Sequence, residues 1–146
     1  MTSELIKIFD RDIARLKSEI EAFTNEDNLW RTAGTTKNPA GNLCLHLTGN
    51  LRTYIGKNLG NFDYVRDREA EFSRTGVPKQ ELVQLIEDTR MVVGASLKNL
   101  DESQLQETYV EELFGAPMSN GFFLIHLIAH LSYHLGQVNY LRRVLE

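Results

Sequence analysis

The sequence predicts an all-α protein, a four-helix bundle. Three observations predict it. Four segments of about 20 residues carry apolar side chains at steps of three and four, the signature of a helical face. Turn, cap or charged residues separate those segments. No stretch alternates convincingly enough to build a sheet, and helices without a sheet pack on one another.

The first segment places Leu5, Phe9, Ile13, Leu16, Ile20 and Phe23 on one face, which predicts a helix from about Thr2 to Phe23. "TNEDNLWRTAGTTKNPAGN" then reads as loop. Asn38 can cap and Pro39 is tolerated at a first helical position, so a second helix should run from about Pro39 to Asn58. The run "DYVRDREAEFSR", residues 63–74, is dense in charges of both signs and reads as a solvated connection. Pro78 opens a third helix to about Asn99, with Leu82, Leu85, Ile86, Val93, Leu97 and Leu100 as its stripe. An acidic connection follows, with room for a short extended piece at "ETYVEEL". The fourth helix should run from about Ser119 to Val144. It is apolar nearly all round, which predicts that it lies deepest in the core. The longer connections, near 24–38 and 60–77, leave room for a crossover.

At 146 residues the chain suits one domain, 1–146, with a real core. A net charge of −4 and no basic face give no reason to expect nucleic acid. The single cysteine, Cys44, excludes an intramolecular disulfide and suits a reducing compartment. The N-terminus lacks the basic and apolar regions of a signal peptide. From Leu113 to Leu141 no residue carries a formal charge, yet polar residues and Pro117 break every long apolar run. A buried helix is therefore the better reading than a membrane span, and the expected location is the cytoplasm.

The chain has four histidines, and three of them fall in "HLIAHLSYH", at His126, His130 and His134. Residues four apart share a helix face, so two of these imidazoles can turn to one ion. A third ligand must come from another helix, and His46, mid-way along the second, is the remaining histidine. The competing reading is that histidines on an apolar face are ordinary core residues. His126 and His134 lie about 12 Å apart along a helix axis, so one ion cannot take both. The pair is either 126/130 or 130/134, and periodicity does not choose. Di-iron and zincin patterns fail, because no Glu-x-x-His or H-E-x-x-H occurs. Cys44, two residues before His46, points to another side of the helix and reads as a structural thiol.

"HLSYHLGQVNYLRR", with His130, His134, Gly136 and Gln137, resembles the last-helix motif of the DinB-like superfamily. "NPAGNLCLHLTGNLRTYIG", with His46, resembles its second helix. The "HLTGNLR" and "RDREAEF" segments resemble a bacterial branch of unknown function. The resemblance spans essentially the whole chain. It implies up-down-down-up topology, frequent homodimers, and a divalent ion (zinc, nickel or iron) on three histidines. It selects His46, His130 and His134 as ligands, and leaves His126 to support a ligand from behind or to pack in the core. Characterised relatives include thiol-dependent transferases and isomerases.

Three neutral imidazoles leave an ion with open positions, the catalytic rather than the structural pattern. Two chemistries follow: thiol transfer to an electrophile, or metal-hydroxide hydrolysis of a small molecule. Asn50 follows His46 by one turn and Gln137 follows His134 by three residues; both can orient a ligand or water. Tyr133 could donate to a bound ligand, with a core or surface role as the competing reading. Arg52 suits either an anionic substrate or a salt bridge. No carboxylate is placed as general base. A binding module without turnover and a structural homodimer with core histidines remain the alternatives.

Overall fold

A computed structural model describes all 146 residues. Its helices are α1 (Thr2–Ala22), α2 (Ala40–Leu51), α3 (Arg68–Ser73), α4 (Lys79–Lys98) and α5 (Asn120–Leu145). A π-helical turn, Arg52–Lys57, extends α2. The four long helices form the bundle that the periodicity predicts.

Contacts between helices fix the topology. Arg90 binds Asp10, Lys17 binds Glu87, and the amino terminus binds Glu102, so α4 runs antiparallel to α1. Glu19 takes Asn139 and Arg142 while Thr24 takes Glu146, so α5 runs parallel to α1. His46 meets His130 while Tyr54 meets Phe123, so α2 runs antiparallel to α5. The order is therefore up-down-down-up. The crossover is the segment that carries α3.

Burial explains α1 directly: Leu5, Phe9, Ile13, Leu16 and Ile20 are all in the core, and they are the stripe that defined it. Helix α5 is different. It exposes Phe122, Ile125, Tyr133, Tyr140 and Val144, so it is not the deepest helix. That place belongs to α2, in which every residue from Ala40 to Leu51 is buried. A lack of charge on α5 left its depth unspecified. In α2, glycine permits close approach: a Cβ at Gly41 would meet the Trp30 ring at 2.7 Å. The cap also differs by one residue. Pro39 is the N-cap and makes no side-chain bond, so Asn38 does not cap α2. The extended piece near "ETYVEEL" exists as one antiparallel bridge between Thr108 and Ser119.

Cys44 is fully buried, and burial pushes its thiol up to about 12. Since the thiolate is the reactive form, Ellman's reagent should find no thiol in the folded protein and one per chain after denaturation. No helix is long and apolar enough to cross a membrane.

Candidate metal centre

Helices α2 and α5 bring three imidazoles together. His46 is buried on α2; His130 and His134 are half-buried on consecutive turns of α5. One ring nitrogen from each lies within 4.8 Å of the others. His46 Nε2 stands 3.2 Å from His130 Nε2.

The rear nitrogens explain that arrangement. His46 Nδ1 is 3.0 Å from Glu71 Oε1, and a carboxylate can only accept, so Nδ1 carries the proton. His46 Nε2 therefore presents a lone pair to the centre. His134 Nδ1 likewise donates to Gln137 Oε1 at 2.7 Å, which leaves its Nε2 free. Glu71 is itself held by Arg66, whose Nε and Nη2 donate at 2.8 and 2.9 Å. Such a carboxylate–histidine pair fixes the tautomer and orientation a metal ligand needs.

Burial opposes charge on Glu71, yet the hydrogen bonds from His46 and Arg66 win and hold its carboxyl below the usual range. Burial, together with the neighbouring imidazoles, lowers His130 to about 4. Burial also lowers His134, against the opposing Gln137 hydrogen bond. Both rings are thus neutral at pH 7, the state in which imidazole ligates. Nitrogens bound to one ion at about 2.0–2.1 Å stand roughly 2.9–3.4 Å apart. The His46–His130 separation fits, and so does the all-nitrogen donor set.

The other sequence candidates fall around this centre. Gln137 touches His134 from behind. Asn50 is buried on α2 with Oδ1 unpartnered. Tyr133 is exposed, its ring centroid 5.3 Å from that of His134. His126 stands outside the three-nitrogen group, stacked on Phe123 at 5.8 Å and edge-on to Phe114 at 4.8 Å. Arg52 lies over the Tyr64 ring at 5.0 Å.

Glu71, Arg66 and Phe72 are the residues that sequence reasoning missed. Residues 63–74 are not simply a solvated connection. Asp67 caps α3 by accepting from Ala70 N, and Asn42 Nδ2 donates to Glu71 O and Arg74 O. These bonds seat α3 on α2, with Glu71 buried and Phe72 against His46 at 4.8 Å. The available signal was "RDREAEF", where two arginines precede an acidic turn that ends on Phe72. Gly49 lies directly beneath: a Cβ there would land on the Glu71 carboxylate. Arg66 pins that carboxylate, so it cannot simply swing away. Gly49→Ala should therefore cost about 1–3 kcal/mol, read by thermal or denaturant unfolding.

Comparison with known proteins places the chain. No curated protein matches it. It is similar in fold to the crystal structure of a conserved protein from Enterococcus faecalis, with TM-score 0.77 and 16% identity over 98% of this chain and 95% of that one. It is also similar to a DinB-like protein from Bacillus cereus, with TM-score 0.70 and 16% identity over 92% of this chain and 85% of the other. The sequence model of the DinB superfamily matches residues 4–138, and the chain belongs to that superfamily.

Proposed function

We propose that this protein is a divalent-metal-dependent enzyme that transfers a thiol to a small electrophile, with His46, His130 and His134 as ligands. The observation that carries the proposal is the convergence of three imidazole nitrogens, two of them with their rear nitrogens already held. A divalent ion there would supply Lewis-acid activation, lowering the pKa of a thiol or of water toward neutrality.

The chain's own residues favour thiol transfer over hydrolysis. Glu71 spends both oxygens on Arg66 and His46, so it is not free to act as general base. A coordinating thiol would be deprotonated outright and needs no such base, whereas metal-bound water would only be brought to about neutrality. A groove of about 880 Å³, lined in part by Thr36, Lys37, Tyr133, Gln137 and Tyr140, meets the three histidines only through Gln137 and Tyr133, which touch His134. Its apolar walls would shelter the body of a small substrate, and Lys37 would attract an acidic group on it. Gln137 reaches both the groove and His134, so it would sense what lies there. The Tyr133 hydroxyl would donate to a bound ligand. Zinc, nickel and iron all suit an imidazole set.

The test is metal analysis of protein purified without chelators, followed by a turnover screen with low-molecular-weight thiols and small electrophiles. Roughly one ion per chain and thiol-dependent turnover are expected. Absence of metal in the protein and in reconstitution would sink the proposal. Tight metal binding without turnover would favour a ligand-binding module.

The exposed apolar face of α5 supports a homodimer. Phe122, Ile125, Tyr133, Tyr140 and Val144 share that face. It carries no formal charge from Asn120 to Leu141, so a second copy meets no like-charge repulsion there. Light scattering should give twice the 16.7 kDa chain mass. Tyr140→Glu should return the monomer.

A further inference from the structure

Along the exposed side of α5, Phe122, Ile125, Ala129, Tyr133, Gly136 and Tyr140 follow one another at steps of three and four. None of them is charged, and the line ends at Arg143 and Val144 in the last turn. Glycine weakens a helix interior, yet nothing in this chain calls for one at position 136. Its φ is not positive, and a Cβ there would meet nothing within 4 Å. Bare backbone on an exposed helix face suits a second helix laid close against it.

The line is self-complementary in one direction. An antiparallel pair of α5 helices, with a two-fold axis between Ser132 and Tyr133, lays Ala129 on the partner's Gly136. The same register lays Ile125 on the partner's Tyr140 and Phe122 on the partner's Arg143. Charge favours this direction. The last turn of α5 carries Arg142 and Arg143. The start of α5 lies beside Glu111 and Glu112, on the connection whose Phe114 packs against Phe123 and His126. Parallel helices would set each charged end against its own twin. Antiparallel helices bring the basic end of one copy to the acidic end of the other.

We propose that this protein pairs through α5 in that antiparallel register, and that the second copy roofs the groove of the first. The proposal deepens the dimer and the function proposed above, and its bearing on a substrate rests on them. Tyr133, Gly136 and Tyr140 lie both on the contact line and in the wall of the groove. A helix seated on them covers the open side of the groove, with the partner's Ala129 and the partner's Ile125 as the added wall. All three histidines come from one chain, so the ion itself needs no partner. What the partner adds is apolar cover for the molecule that binds in the groove.

Disulfide trapping reads the register, with Ala129→Cys and Gly136→Cys co-expressed. Cys44 is fully buried, so mild oxidation reaches only the new thiols. The mixture should give a disulfide-linked heterodimer. Neither variant alone should crosslink, because about 10 Å of helix separates each position from its twin, and a disulfide needs Cα atoms within about 7 Å. Self-crosslinking of the single variants would mean parallel helices, and no crosslink in the mixture would mean another face. Either result overturns the proposal, as does a monomer by light scattering. Hydrogen exchange at residues 33–38, the opposite wall of the groove, reads the roof in wild type and in Ile125→Glu. Ile125 is exposed and does not line the groove. Phe122→Glu repeats the measurement where Ile125→Glu does not fold. Either variant should be monomeric, with exchange at 33–38 about tenfold faster and zinc stoichiometry unchanged. Equal exchange in dimer and monomer overturns the roof. A wild type that binds no zinc sinks the metal function above, while crosslinking and exchange still decide the pairing.

Discussion

Glu71→Ala should lower the stability of the metal-free protein by about 3–5 kcal/mol, the cost of breaking a buried ion pair by removing one partner. Arg66 and Glu71 are nearly enclosed, with side chains 13% and 6% exposed. The variant would strand the Arg66 guanidinium and the His46 Nδ1–H together, each without its acceptor. Glu71→Gln should cost less, because its amide oxygen still accepts from His46. Denaturant unfolding in chelator separates the two. A loss below about 1 kcal/mol for Glu71→Ala would mean that water already reaches Arg66 and that the pair is of the weak surface kind. The same variant should weaken metal about 10–100-fold, because His46 loses the bond that fixes its tautomer. The two losses have different readouts, so a stability effect cannot stand in for a ligand effect.

Glu71 also shows what a linear reading could reach. The stripes of α1 and α4 were legible because burial on one helix face leaves a period in the sequence. The fate of a charge leaves none. Whether Glu71 meets water or Arg66 depends on α3 docking over Gly49, and on His46, which is 25 residues away. Nothing local records that. The depth of α5 failed for the converse reason: an uncharged helix can be buried or can keep a face for a partner. The histidine row was visible because an i, i+4 spacing is itself geometric. What stayed open there was which nitrogens point inward. That is set by Gln137, which lies within the same helix, and by Glu71, which does not.

The histidine row gives the second large expected effect. On the proposed ligand set, His134→Ala should weaken metal a hundredfold or more, since it would remove a ligand and not merely a ligand's support. It should also erase the stabilisation that metal confers by binding only the folded state, about 2.7 kcal/mol at a free concentration of 100 times Kd. His126→Ala should behave in the opposite way. Its ring is half-buried between Phe114 and Phe123, at 4.8 and 5.8 Å, and outside the three-nitrogen group. Losing those aromatic contacts should cost about 1 kcal/mol while metal stoichiometry is kept. Metal titration of the two variants, with unfolding curves in chelator and in excess metal, reads both effects at once. If His126→Ala stripped the metal while His134→Ala kept it, the ligand pair would be one turn nearer the start of α5. Gln137 would then be holding a histidine that binds nothing.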